Sequence, residues 1–478
     1  MSVELARLPV YAVLREPDLA FHPDRPEDRS PHPLAGLVNF GPFSRSTVNA
    51  VLDPIRVAAI APAGGSRLID GLLAELEGHH TPRERRVYLV DFPGFTRVFG
   101  LRVVSSPERI ELPASLDRDI ATSPTPHLFL AESVTRALAA LQAQQQQFEV
   151  VLIYLPKRWS RGFYGPAGED FDLHDYIKAM SAVRGIPVQI VREESALAYP
   201  CRCSVMWRLG IALYCKAGGV PWKLAETEPD TAFVGLSYST RAADHEATPR
   251  FVTCCSQVFD ADGAGLEFIA YETSGFHLER ENPFLNRAEM RRVMARSLAL
   301  YQRRHAGRAP KGVTVRKSTP FTLEEMDGCF DAWQGVETLD LIQVQQDSAW
   351  RGVGIHAPES GSKGIAGQYP CERGSYLTLG GREVLLWTQG NAPRAVGGRN
   401  FYKEGKGVPT PLRLVRFAGH GGWESACRDV LGLTKMDWNN DSLYDRLPVT
   451  MSYAQVLART IKRMSELTPR PYEFRFFM

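Results

Sequence analysis

Phe233 to Ser239 (FVGLSYS), Phe251 to Phe259 (FVTCCSQVF) and Leu266 to Thr273 (LEFIAYET) are three consecutive strand-like runs. The second closes on Asp260-Ala261-Asp262-Gly263, a turn sequence. A long basic helix is predicted from Arg287 to Arg304. It is followed by a strand (Val313 to Lys317), a helix (Leu323 to Trp333) and a strand (Leu339 to Gln345). Further strands fall around Leu377 and Val384, and a last helix covers Tyr453 to Met464.

Three strands, a helix, a strand, a helix and a strand is the order of an RNase H-like fold. Upstream the pattern differs, because strands alternate with helices. Ile55 to Ile60, Val87 to Val90, Val150 to Leu155 (VVLIYL) and Val188 to Val191 read as strands. Ser66 to Glu77, Leu130 to Gln147, Asp172 to Val183 and Ser204 to Lys216 read as helices. That alternation predicts a parallel, doubly wound, Rossmann-like sheet, with VVLIYL as a strand buried on both faces. The expected organisation is α/β throughout: a packed Pro-rich extension over 1–54, one domain over 55–225 and a second over 226–478.

The chain has 478 residues, with 56 Lys plus Arg against 54 Asp plus Glu and a net charge of +2. This balance excludes a polybasic protein that holds nucleic acid by bulk charge alone. Hydrophobic residues make up 44% and charged residues 23%, as in an ordinary folded protein. No apolar run is long enough for a bilayer, and Met1 to Leu14 lacks a signal-peptide pattern, so a cytoplasmic location and no membrane partner are expected. The eight cysteines form no CxxC pair and the histidines no HExxH, so buried reduced thiols are expected rather than a zinc framework.

His174 and Lys178 are four residues apart, on one helix face. Gln189 lies in the next strand and Lys216 ends the next helix. Two cations, an amide and helix-start N–H groups could converge on a phosphate. Taken alone, the same residues read first as a solvated helix face and a lysine favoured at a helix C-terminus. RNase H-like nucleases hold two metal ions with carboxylates on the first and fourth strands. Here Ser237 and Ser318 stand in those places, with Arg316 and Lys317 adjoining. Asp260 and Asp262 could rebuild a metal site, although a hairpin turn is their commoner setting. Between Arg287 and Lys317 the bases, among them Arg287, Arg292, Arg296, Arg316 and Lys317, face a single acid, Glu289. This stripe is either a solvated helix face or a track for a phosphate backbone. The loop Arg394 to Lys406 (RAVGGRNFYKEGK) mixes cations, glycine and aromatics, as backbone and stacking contacts require. Finally, a tail ending Phe474-Arg475-Phe476-Phe477-Met478 should be buried, holding its α-carboxylate in a fixed place.

Several motifs together resemble a short prokaryotic Argonaute over essentially the whole chain. They are His32-Pro33-Leu34 with Gly41-Pro42-Phe43, Gln257-Val258-Phe259-Asp260, Gly407-Val408-Pro409-Thr410-Pro411-Leu412, Leu433 to Asn439 (LTKMDWN), and Leu447-Pro448-Val449-Thr450 with Tyr453-Ala454. The resemblance implies a MID domain over 55–225 and a PIWI domain over 226–478, without a PAZ domain. It implies that His174, Lys178, Gln189 and Lys216 grip the 5′-phosphate of a guide RNA, and that Gln189 and the Met478 carboxylate hold a Mg2+ there. With Ser237 and Ser318 at two positions of the carboxylate tetrad, it implies lost slicing. It further implies pairing with target single-stranded DNA and a role in defence against invading DNA. The implied partner, in a heterodimer or a higher oligomer on activation, carries an APAZ region fused to a TIR, sirtuin-like or nuclease effector. Two other readings stand beside this one: an active guided nuclease with a rearranged metal site, and an unguided nucleic-acid-binding scaffold.

Overall fold

The computed structural model describes the whole chain except residues 1–9, 48–49, 84–86, 242–250, 281, 357–363, 403–406, 440–441, 465–466 and 468–470. Two compact units divide it. The first comprises Met1–Leu19, Leu224–Asp437 and Leu443–Gln455 and opens with strand β1 (Tyr11–Val13). The second comprises Ala20–Lys223, Trp438–Ser442 and Val456–Met478. The segment expected as one N-terminal extension is therefore shared between the units. The tail from Val456, grouped in the sequence with the 226–478 domain, packs with the second unit.

The second unit is built on a four-stranded parallel sheet. In chain order its strands are β2 (Ile55–Pro62), β3 (Val103–Leu112), β4 (Val150–Leu155) and β5 (Val188–Arg192), lying side by side as β3-β2-β4-β5. All six residues of β4 are buried, so the apolar run has the two covered faces its composition requires. Helices α1 (Ser66–Leu76), α2 (Pro126–Gln142), α3 (Leu173–Arg184) and α4 (Arg202–Lys216) connect and cover the strands. Leu130, Val134 and Leu138 of α2 and Ile177 of α3 pack on Val151, Ile153 and Leu155. The strand expected at Val87 to Val90 is not formed, and its place in the sheet is taken by β3. β3 (VVSSPERIEL) contains Pro107 and the polar run Ser105-Ser106, which breaks any apolar period and hides it in the sequence. As an edge strand it tolerates the missing donor.

The first unit carries a nine-stranded mixed sheet. Its core is β6 (Thr231–Arg241), β7 (Phe251–Asp260), β8 (Gly265–Thr273), helix α5 (Arg287–Arg304), β9 (Gly312–Lys317), helix α6 (Leu323–Ala332) and β10 (Thr338–Gln345). This is the element order expected from the sequence. There follow the hairpin β11 (Val353–His356) and β12 (Ile365–Pro370), then β13 (Ser375–Gly380), β14 (Glu383–Leu386), β15 (Leu412–Ala418), α7 (Trp423–Leu433) and α8 (Val449–Ile461). The sheet order is β1-β13-β14-β15-β10-β9-β6-β7-β8, and β9 runs parallel to both β6 and β10. Alternation along β9 divides its side chains. Val313 and Val315 join Met290, Val293 and Met294 of α5 in one core. On the other face, Ile342 and Leu414 pack on Ala426, Val430 and Leu431 of α7. Gly235 of β6 is fixed by close approach, because a Cβ there would lie 2.1 Å from the Thr450 carbonyl oxygen. Buried Glu16 bridges Arg373 (3.0 Å) and Lys435 (2.8 Å), tying the N-terminal segment to this unit. Burial opposes its charge, but the two cations hold its carboxyl below the usual carboxylate value. Six cysteines, at 201, 203, 215, 329, 371 and 427, are buried free thiols. Among the described residues no helix is long and apolar enough to cross a membrane.

Candidate nucleic-acid interface

Asp172 caps α3 by accepting the His174 N–H (2.7 Å), and Gly185 closes the helix in the left-handed region (φ 67°). These signals set the phase of the helix, so that Lys178 lies one turn beyond His174 and points inward at 2% exposure. Its Nζ donates to the Val188 carbonyl at the start of β5 (3.1 Å) and to the main-chain oxygen of Met478. Lys216, the last residue of α4 and fully buried, donates to the same Met478 oxygen at 2.6 Å. The tail can deliver this oxygen there because Tyr472, Phe474, Phe476, Phe477 and Met478 are all buried. Phe474 and Phe477 meet Trp438 and Tyr472 edge-on. Two buried amino groups thus converge on one oxygen atom. Burial pushes Lys178 down to about 8 and lowers Lys216 further, with the neighbouring ammonium adding to its shift.

The other two expected members belong to the same elements, His174 to the first turn of α3 and Gln189 to β5. Gln189 donates Nε2 to the Ile190 carbonyl (3.2 Å), while its Oε1 is buried and without a hydrogen-bond partner. The His174 ring is less buried, its side chain 43% exposed, with Nδ1 3.3 Å from Asp175 Oδ1. Asp175 also faces Arg459 at 3.7 Å. Burial opposes its ionisation, but His174, Arg459 and Arg463 hold its carboxyl below the usual value. Asp172, His174 and Asp175 are close enough to share a cation, although Asp172 is already the helix cap and Asp175 faces Arg459. Arg459, Lys462 and Arg463 were not singled out in the sequence. Lys462 and Arg463 reach Asp170 at 3.6 and 2.9 Å. The available signal was the run RTIKR at the end of the last helix, which by itself reads as ordinary helix-end charge.

The basic stripe is not a free phosphate track. Arg287 pairs with Asp331 (2.7 Å) and Arg292 with Glu289 (2.8 Å), while Arg296 stacks on Tyr271 at 4.7 Å. Arg303 also pairs, with Glu267. Arg316 is fully buried over the Phe233 ring, 4.0 Å from Asp429, and Lys317 is buried against Glu325 at 2.5 Å. The expectation that these five residues follow a nucleic-acid backbone is therefore corrected for Arg316 and Lys317, which no phosphate at the surface can reach. The physical reason is the strand period, which turns Lys317 toward α6 and Arg316 toward α7.

Ser237 lies on β6, with its Oγ buried and without a hydrogen-bond partner, and Ser318 directly follows β9. On the sheet face that carries α5 and α6, Glu325 accepts from Lys317, from Tyr238 Oη (3.1 Å) and from the Thr322 and Leu285 N–H groups. Phe321 and Phe284 close around the ammonium at 4.7 and 5.1 Å. Asp260 and Asp262 form the hairpin turn: Asp262 Oδ1 accepts the Ala264 N–H, Asp260 lies 3.3 Å from His305, and Gly263 has φ 75°. In the loop from Arg394, Asn391 Oδ1 receives the Phe401 N–H (2.9 Å), and residues 403–406 lie outside the described residues.

No protein-family model matches the chain, and no curated protein matches it in sequence. Solved structures do match. Clostridium butyricum Argonaute bound to a guide DNA and a 19-mer target DNA superposes at TM-score 0.64 with 16% identity, over 96% of this chain and 54% of that one. A. aeolicus Argonaute superposes at TM-score 0.60 with 14% identity, over 98% and 55%. Aa-Ago with externally bound siRNA does so at 0.60 with 13% identity, over 99% and 56%. The architecture is the MID and PIWI fold of Argonaute proteins, on a chain that spans about half the length of these structures.

Proposed function

We propose that this chain is a guide-dependent nucleic-acid recognition subunit of the short prokaryotic Argonaute type. It would bind a 5′-phosphorylated guide RNA, pair it with target single-stranded DNA, and signal to a partner in defence against invading DNA. The observation that carries this reading is the convergence of Lys178 and Lys216 on the Met478 main-chain oxygen, with Gln189 Oε1 of the adjoining strand buried and unpartnered. A guide phosphate adds the negative charge that two buried ammonium groups lack, and His174 supplies a partly exposed ring at the entrance for a further donor or a stacking face. The C. butyricum Argonaute structure holds guide and target DNA, which supports the same use of this fold. Base pairing would read the sequence, so the protein need only hold backbones.

Gln189 Oε1 and the Met478 carboxylate are hard oxygen donors, and the first is a buried acceptor in want of a partner. The residues therefore fit a Mg2+, which would neutralise guide phosphate charge. The hydroxyls of Ser237 and Ser318 favour an inactive PIWI domain, because neutral hydroxyls do not offset two divalent cations. Output would then lie with a second polypeptide, an APAZ protein fused to a TIR, sirtuin-like or nuclease effector, in the cytoplasm. The test is a binding comparison of one guide RNA carrying either a 5′-phosphate or a 5′-hydroxyl. The phosphorylated guide should bind more tightly, and Lys178→Ala with Lys216→Ala should remove the difference. Equal affinities for the two guides, unchanged in the variant, would instead support an unguided scaffold.

A further inference from the structure

The motif Gly41-Pro42-Phe43 leads into Ser44, whose side chain lies against the end of α4. Phe43 and Ser44 open a single 3₁₀ turn (Phe43–Ser46). Their N–H groups donate to the Pro221 and Val220 carbonyls at 2.9 and 3.0 Å. In return the Ser44 hydroxyl accepts the Val220 N–H (2.8 Å), and it shares a hydrogen bond with the Tyr214 hydroxyl (2.9 Å). Ser44 is 7% exposed and Tyr214 1%, so solvent cannot stand in for that oxygen when it is removed.

What this hydroxyl spans is the turn that carries Lys216. Tyr214 lies two residues before Lys216 and Val220 four residues after it. The last carbonyls of a helix have no intrahelical donors, and the chain beyond must supply them. Here the N–H groups of Ala217, Gly218 and Gly219 return to the carbonyls of Leu213, Cys215 and Tyr214 at 3.0, 3.0 and 2.9 Å, with Gly218 at φ 103°. The Tyr214 ring lies against the same turn, because a Cβ on Gly219 would fall 2.3 Å from it, and it stacks on Phe99 with centroids 5.0 Å apart. Lys216 is the last residue of α4, and its Nζ has to meet the Met478 main-chain oxygen at 2.6 Å. Lys178 needs no such support, since it sits in the middle of α3 and has the Val188 carbonyl as a second acceptor. We propose that Ser44 is a positioning residue for guide binding, holding the end of α4 so that Lys216 stays aimed at the 5′-phosphate. This rests on the reading of the lysine pair as a phosphate site.

The test titrates the full chain with one guide RNA carrying either a 5′-phosphate or a 5′-hydroxyl. Ser44→Ala should reduce the preference for the phosphorylated guide about tenfold, the worth of one charge-assisted hydrogen bond. Affinity for the 5′-hydroxyl guide should stay within about twofold. Ser44→Thr, which keeps the hydroxyl, should restore the preference. Tyr214→Phe keeps the ring and the Ser44–Val220 bond, and it should lose preference in the same direction even where Ser44→Ala fails to fold. In a Lys216→Ala chain, Ser44→Ala should cost no further preference, because the group it positions is gone. An equal loss for both guides, or a Ser44 effect that persists in the Lys216→Ala chain, makes the hydroxyl a support of the fold alone and overturns the proposal. Full preference in both Ser44→Ala and Tyr214→Phe overturns it too, while leaving the phosphate reading intact. An unaltered chain that binds the two guides equally removes the phosphate reading itself, and this inference with it.

Discussion

Lys178 and Lys216 are unusual because burial works against the charge that the proposed site needs. Lys178 sits near 8 against an ordinary 10.5. A bound phosphate dianion raises that value again, so above about pH 8 binding must take up a proton. Guide affinity should therefore fall as pH rises through 8, and calorimetry in buffers of different ionisation heat should detect the uptake. Stability responds in the opposite sense. Between 8 and 10.5 the unfolded chain still holds a proton that the folded chain has released, so unbinding that proton on folding favours the native state as pH rises. Stability of the guide-free chain should gain from this residue over that window in denaturant titrations, and a shared decline would contradict the assignment. The Met478 main-chain oxygen is the partner of both lysines. Deleting Phe476 to Met478 should cost guide affinity about 10- to 100-fold, the worth of one or two charge-assisted hydrogen bonds, as read by filter binding of a 5′-phosphorylated guide.

At the scale of elements, α5 and α6 show how charge that looks functional is consumed by structure. Arg287 and Arg292 pair across and along the helices at positions more than half exposed. Arg292→Ala should leave guide affinity within about twofold and cost about 0–1 kcal/mol in unfolding experiments. Glu325 differs, since it is fully buried, closes the capping box of α6 with Thr322 and neutralises Lys317. Glu325→Gln leaves an ammonium buried among Phe321, Phe284 and Tyr238 and should destabilise by about 3–5 kcal/mol in chemical denaturation. The elements themselves were largely legible. VVLIYL could only be a doubly covered strand, Asp172 and Gly185 bounded α3, and the Arg287 to Arg304 helix has the expected limits. β3 was not legible, because Pro107 and the polar run Ser105-Ser106 describe an edge strand and a loop equally well until its neighbours are known.

For the whole molecule, the proposed loss of slicing predicts that guide-loaded chain leaves a complementary single-stranded DNA intact in magnesium or manganese. Cleavage that disappears on changing Asp260 would restore the active-nuclease reading. The Asp262 and His305 geometry around that turn argues against it. The sequence by itself determined the two α/β patterns and the order of strands and helices, because periodicity and caps are local properties of a chain, whereas His174, Lys178, Gln189 and Lys216 stood as one candidate set chiefly through the resemblance. Only the tertiary structure decided which charges are available. It carried the Met478 main-chain oxygen onto two lysines 300 and 262 residues away, and it paired Arg287, Arg303 and Lys317 of the stripe with carboxylates of other elements. It also buried the Trp387 indole N–H without a hydrogen-bond partner. Burial and pairing are set by what the fold brings alongside each side chain, and those neighbours are distant in sequence.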